Sequence, residues 1–478
     1  MVFSDPVFLF AFLPLILLIY WAVAWRSRNS FLIAIGCVFY LAGAGDSLIL
    51  LSGTVLINYV LSRMIRKRQD AGGSARLSLM VGVFLNLASL AVWKYAGFAA
   101  NVLSDLIRLS GGNSTFTVKL LLPIAISFYT FQCISFLVDI FHREIDQVPS
   151  FWDFAAYIFL FPHLIAGPIV RYKDIEHELL SRPNDRFRDF SYGAPRFFWG
   201  LAKKILIADQ ISVIADRIFA LPDSRLTFLV AWIGVVVYAL QIYFDFSGYS
   251  DMAIGLAQMF GFRFKENFNR PYSAHSITDF WRRWHISLST WFRDYLYIPL
   301  GGNKSERKSR TYINLIIVFI FTGFWHGAQW TFMAWGLFHG FFLVLERVAR
   351  GRESSKPKVA WSVGKRVFTF IVVCFGWALF RATSISQASN FFSTMVRPTS
   401  WRIPLVVDEV LTTQRITWIL VGSLVLFIPQ NIQLGLLISD ANSRGARTLR
   451  LGTVLLLAPL ACVYALTTTF SPFLYFQF

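Results

Sequence analysis

Cysteine is scarce. Only Cys37, Cys133, Cys374 and Cys462 occur in 478 residues, each within an apolar run and with no Cys-x-x-Cys pair. A disulfide framework and a thiolate zinc site are unsupported, and the thiols read as packing residues. Other catalytic signatures are missing as well. The chain has no Gly-x-Ser-x-Gly elbow, no His-Glu-x-x-His pair and no Walker A loop, which sets aside serine hydrolases, zincins and ATP-driven pumps. No basic segment precedes the first apolar stretch and no small-residue cleavage site follows it, so that stretch is expected to be a retained helix and not a removed signal.

Charge is also sparse, at 15% of residues, and unbalanced: 27 acidic side chains face 45 Lys and Arg, a net charge of +18. Such an excess can mark a nucleic-acid partner. Here, however, the basic residues sit in short clusters between apolar runs and form no continuous stripe, so nucleic acid is excluded. No soluble domain, low-complexity linker or internal repeat breaks the chain, and residues 1–478 read as a single domain.

What the chain has in abundance is hydrocarbon: 56% hydrophobic and 17% aromatic residues. Several runs approach the roughly 20 residues needed to cross a bilayer, among them Val7–Ala24, Ser78–Val92, Leu226–Phe244 and Val367–Leu379 with their flanks. Only helices satisfy their own backbone in lipid at this spacing. The expected fold is therefore all-α, a polytopic transmembrane bundle of about 10–12 crossings. Phe151–Ile165 and Phe280–Leu300 are expected to be re-entrant or interfacial. The basic clusters around Arg26, Arg63–Arg68, Lys304–Arg310, Lys356–Arg366 and Arg444–Arg450 place those loops in the cytoplasm and leave Thr467–Phe478 outside.

Polar residues concentrate between Gln241 and His339. Two cytoplasmic clusters bracket Tyr312–Leu345, which must go out and return, with a reversal near Gly323–Thr331. In Thr322-Gly323-Phe324-Trp325-His326-Gly327-Ala328, His326 stands at that reversal, about 22 Å along a helix from Thr311. Small residues there permit close backbone approach, and an indole such as Trp325 can wall a cavity. A neutral imidazole at that depth can serve as general base for attack of a hydroxyl on a thioester; it can equally hydrogen-bond a neighbouring helix. The second histidine, His285, lies in Phe280-Trp281-Arg282-Arg283-Trp284-His285, where indoles and arginines interleave at helical spacing. Arg282 and Arg283 could meet a phosphate-bearing donor beside Trp284, or snorkel from an aromatic-belt helix. Asp245 and Asp251 fall in an apolar run and require partners, for which Arg282 or Arg283 are the expected choice. His163, in a Pro- and Gly-broken segment, reads as structural, and His142, His177, His275 and His339 carry no distinctive spacing.

Taken together, Phe244–Ala253, Asn267–Tyr272, Phe280–Tyr297 with Gly301-Gly302-Asn303, and Phe324-Trp325-His326-Gly327 closely resemble the membrane-bound O-acyltransferase family, in its bacterial alginate O-acetyltransferase branch. The likeness extends to Met1–Ser4, Leu122–Ile124, Ser127–Tyr129 and Pro162–Pro168. The resemblance implies a central channel, a catalytic role for His326 and a signature role for His285. It also implies a bacterial inner-membrane enzyme that carries acetyl groups from a cytoplasmic donor, acetyl-CoA, toward an exported polysaccharide such as alginate, with a periplasmic acetyltransferase partner. No cofactor or metal is expected to be bound. Peptidoglycan and cellulose are alternative acceptors, and a glycan-precursor transporter or flippase is the rival reading from another class.

Overall fold

The computed structural model describes residues 2–113, 115–118, 120–181, 185–303, 308–350, 359–427, 433–439 and 443–467. Every regular element among them is helical. The all-α expectation follows from the sequence's shortage of alternatives: runs of Leu, Ile, Val and Phe too long for strands must hydrogen-bond internally. Among the described residues seven helices are long and apolar enough to cross a membrane, and two shorter apolar helices, Phe8–Ala22 and Ile126–Phe141, accompany them. This is a multi-pass membrane protein. Residues 304–307, 351–358 and 468–478, which carry much of the charge asymmetry used to orient the chain, lie outside the described residues.

The chain divides into two compact units, Met1–Ala194 with Ala253–Lys265, and Pro195–Met252 with Glu266–Phe478. In the first, helices Ser47–Asp70 and Arg76–Leu109 are joined by reciprocal amide bonds between Asn58 and Asn86, at 3.2 and 2.7 Å. Each side chain thereby satisfies the other in a place without water. The expected re-entrant segment is indeed broken: helix Phe151–Phe159 stops at Leu160, and Phe161–Leu164 restarts on Pro162. His163 is fully buried there, bonded through Nε2 to the Tyr157 carbonyl at 2.8 Å and stacked on Phe264. That environment fits the structural role expected of it.

The second unit is built around the hairpin of Lys308–His326 and Trp330–Arg350. Its turn, residues 327–329, falls within the reversal that the charge clusters demanded. Glycine makes the close approach. A Cβ on Gly323 would collide with the carbonyl oxygen of Phe332, and one on Gly336 with that of Phe319. Gly336→Val should therefore cost about 1–3 kcal/mol by overpacking. A fall in the detergent unfolding temperature, absent for an exposed Phe341→Val control, would register it.

Candidate active site

His285 does not continue a helix. Ile277–Trp281 ends, three residues turn, and His285 caps Ile286–Phe292 in the left-handed conformation, φ 44°. The expected run of indoles and arginines at constant helical spacing is thus interrupted at the histidine. A left-handed residue other than glycine costs about 1–2 kcal/mol, so its neighbours must over-determine it.

Asn267 does this. The amide Oδ1 accepts the backbone N–H of Ser287 at 3.2 Å and its hydroxyl at 2.9 Å, while Nδ2 donates to Ser250 Oγ at 3.0 Å. Because the Ser287 N–H can only donate, the atom it meets must be the oxygen. The same oxygen lies 3.2 Å from His285 Nδ1. That contact is a hydrogen bond only if Nδ1 carries the proton, which leaves Nε2 as the acceptor. Phe246 sits edge-on at 4.6 Å and the ring of Trp325 at 6.0 Å. His285 is fully buried, and burial holds its imidazole below the usual histidine range.

Trp325 also touches His326, with ring centroids 5.0 Å apart. His326 ends its helix, is 4% exposed, and is walled by Trp335 at 5.0 Å and Phe380 at 5.1 Å. Beyond Trp335 comes His339, at 5.1 Å, which also meets Trp281 at 5.2 Å. Three imidazoles and two indoles therefore alternate in the order His285, Trp325, His326, Trp335, His339. Sequence reasoning passed over His339, although its place four residues after Trp335 on one helix face was a usable signal. Gly376 leaves room for its ring, and neither Trp335 Nε1 nor His339 Nδ1 has a hydrogen-bond partner among the described residues.

The carboxylates are paired differently from expectation. Asp245 bonds Lys204 at 2.7 Å, and Asp251 bonds Arg196 at 2.5 Å and Lys203 at 2.8 Å; neither is held by Arg282 or Arg283. Asp245, expected to meet substrate, is 2% exposed and lies in that ion pair. Arg196, fully buried, also bonds Glu266 at 2.8 Å. Its planar fork meets each acid with a pair of N–H groups, two toward Glu266 and two toward Asp251. Arg283 turns to its own helical neighbour Asp279 at 2.8 Å, whereas Arg282 is exposed. Trp284 is buried among rings, 4.8 Å from Trp377 and 5.1 Å from Phe268, and so props the turn that carries His285. Among the described residues no group of three His, Cys, Asp or Glu could hold a metal.

Residues 108–386 match the membrane-bound O-acyltransferase family, a stretch that includes all three histidines of the aromatic row. A probable alginate O-acetylase of Azotobacter vinelandii is 40% identical, with both chains covered in full. A peptidoglycan O-acetyltransferase of Helicobacter pylori is 36% identical over 83% of this chain and 80% of its own. A teichoic acid D-alanyltransferase of Bacillus subtilis is 29% identical over 54% and 68%. The relatives move acyl groups onto different polymers, and what they have in common with this helical chain is the transfer itself. The chain therefore belongs to the membrane-bound O-acyltransferase family and is an acyltransferase embedded in the membrane.

Proposed function

We propose that the protein transfers acetyl groups from cytoplasmic acetyl-CoA toward an exported polysaccharide of the alginate type, across a bacterial inner membrane. The observation that carries this reading is the buried His285, Trp325, His326 cluster in a chain similar over its whole length to a probable alginate O-acetylase.

In the proposed reaction the His326 imidazole removes the proton of an acceptor hydroxyl as its oxygen attacks the thioester carbonyl. The new C–O bond forms, the tetrahedral oxyanion collapses, the C–S bond breaks, and the thiolate takes the proton back from the imidazolium. The end of a helix suits this role, since its carbonyls favour the transient cation. The indole N–H of Trp335 offers a donor to the developing oxyanion. His285, with Nδ1 tied to Asn267, leaves Nε2 to accept from a second hydroxyl of the acceptor sugar, so that the proton of the attacking hydroxyl stays with His326, and Trp325 separates the two rings. Arg282 stands exposed for the phosphates of the donor. A periplasmic acetyltransferase completes delivery to the polymer. Peptidoglycan is the second acceptor reading, supported by the Helicobacter pylori relative.

Proteoliposomes given acetyl-labelled CoA and an alginate oligosaccharide test this proposal. Label should appear as an ester on the sugar, in the presence of the partner if the partner is obligatory. Equal label on the glycan with and without the protein would reject it. A positioning role for Asn267 predicts that Asn267→Ala lowers turnover by about 10-fold, the equivalent of one lost buried hydrogen bond, while Asn267→Asp, which still accepts, loses less. If both variants fell equally, together with their unfolding temperatures, Asn267 would be structural only.

A further inference from the structure

The first unit holds a cleft of about 760 Å³ along the last turns of the spanning helix Ser47–Asp70. Arg63, Arg66 and Lys67 reach it from that helix, and Arg143 from the turn that follows Ile126–Phe141. The carboxylates on its walls are Asp70 and Asp146, so two positive charges are in excess. Arg143 pairs with Asp70 at 3.4 Å, and Arg66 donates through Nη2 to the Ile145 carbonyl at 2.6 Å. Arg63 and Lys67, exposed on successive turns of one helix face, have neither a hydrogen-bond nor an ion-pair partner among the described residues. The Nε of Arg66 is buried without an acceptor among the same residues.

Apolar surface runs into the same cleft. Ile57, Val60 and Met64 are 47%, 47% and 41% exposed along one stripe of that helix, and the last two also line the cleft. A stripe of exposed hydrocarbon on a membrane-spanning helix meets acyl chains. Tyr59 lines the cleft as well and packs on Phe151 at 5.4 Å, whose neighbour Trp152 stands exposed. Tyr and Trp gather where a spanning helix leaves hydrocarbon for water, which is the level at which phosphates lie. Orienting the chain calls for basic residues in this loop. It does not call for cations of two segments to converge on one cleft with an apolar stripe leading into it.

We infer that this cleft seats an anionic glycerophospholipid of the leaflet that residues 63–68 face. The phosphate lies between Arg63 and Lys67, one of its oxygens accepts from Arg66, and an acyl chain follows Met64, Val60 and Ile57 along the helix. The excess of two positive charges disfavours a head group that carries its own cation, so the lipid is anionic and not zwitterionic. A soluble phosphate would use the cations and leave the apolar stripe bare. The assignment does not depend on which acyl group or acceptor the enzyme handles.

Native mass spectrometry of the full-length protein, delipidated in detergent and titrated with defined lipids, tests it. Phosphatidylglycerol should be retained about tenfold better than phosphatidylcholine. The double variant Arg63→Gln/Lys67→Gln should lose most of that preference. Arg26→Gln/Arg68→Gln, which removes as much charge from exposed positions outside the cleft, should keep it. Millimolar glycerol 3-phosphate should not displace the lipid. Equal retention of the two lipids, or a preference unchanged by Arg63→Gln/Lys67→Gln, would overturn the proposal. An equal loss in the two double variants would overturn it too, since charge at large and not the cleft would then hold the lipid. Displacement by glycerol 3-phosphate would reassign the cations to a soluble ligand and overturn it likewise. The unfolding temperature of each variant is its control, and should the first double variant unfold, Lys67→Gln set against Arg68→Gln carries the same comparison.

Discussion

His326→Ala should lower acyl transfer by about 10²–10⁴-fold, the usual contribution of a positioned general base, with the protein still inserted and folded. The two expectations separate because His326 is enclosed by ring faces of Trp325, Trp335 and Phe380. Its removal takes away a proton acceptor while the aromatic wall remains. His326→Gln, closer in volume and still polar, should be as inactive as alanine, since an amide cannot take the proton. Single-turnover ester formation with a detergent-solubilised enzyme makes the measurement, and the unfolding temperature of each variant is its control. Glutamine with near-native turnover would remove proton transfer from the role of His326 and leave it a hydrogen-bonding one.

The second large effect concerns stability. Lys204 and Asp245 face each other at 2.7 Å with side chains 3% and 2% exposed, and Lys204 also reaches Asp209 at 2.6 Å. Lys204→Met leaves the Asp245 carboxylate in the membrane helix without its ammonium, a change expected to cost about 3–5 kcal/mol. Adding Asp245→Leu should restore much of the loss, because an apolar pair needs no counter-charge. The double-mutant cycle therefore has a large coupling, read from unfolding temperatures and from the monodisperse fraction after extraction. A double variant no more stable than Lys204→Met would mean that Asp245 is needed for something other than this pair.

The contrast between these two positions marks what the sequence could convey. Local grammar was readable: basic clusters bracketing apolar runs fixed the reversal that emerges at residues 327–329, and Pro162 marked the broken segment around His163. Both depend on neighbours along the chain. Partners of buried charges do not. Arg282 or Arg283 are the partners the sequence suggests for Asp245 and Asp251, whereas the structure pairs the two acids with Lys204, Lys203 and Arg196 on an earlier segment. The left-handed turn at His285 was equally hidden, because it is imposed by Asn267, 18 residues away, and not by the Trp and Arg beside it. His339 carries no distinctive spacing of its own, and only the fold shows the indole of Trp335 that it shares with His326.

The ion pairs also bear on how the chain is made. Arg196 joins Asp251 and Glu266 across 55 and 70 residues. Synthesis delivers the cations first. A lone aspartate at the centre of a helix raises the cost of partitioning from the translocon into lipid by about 2.5–3.5 kcal/mol, so Phe228–Met259, with Asp245 and Asp251, enters more readily once Arg196, Lys203 and Lys204 are waiting nearby. The two segments thus mature as a unit, and a nascent chain released before Asp245 would carry unneutralised cations that membrane quality control could recognise as unfinished.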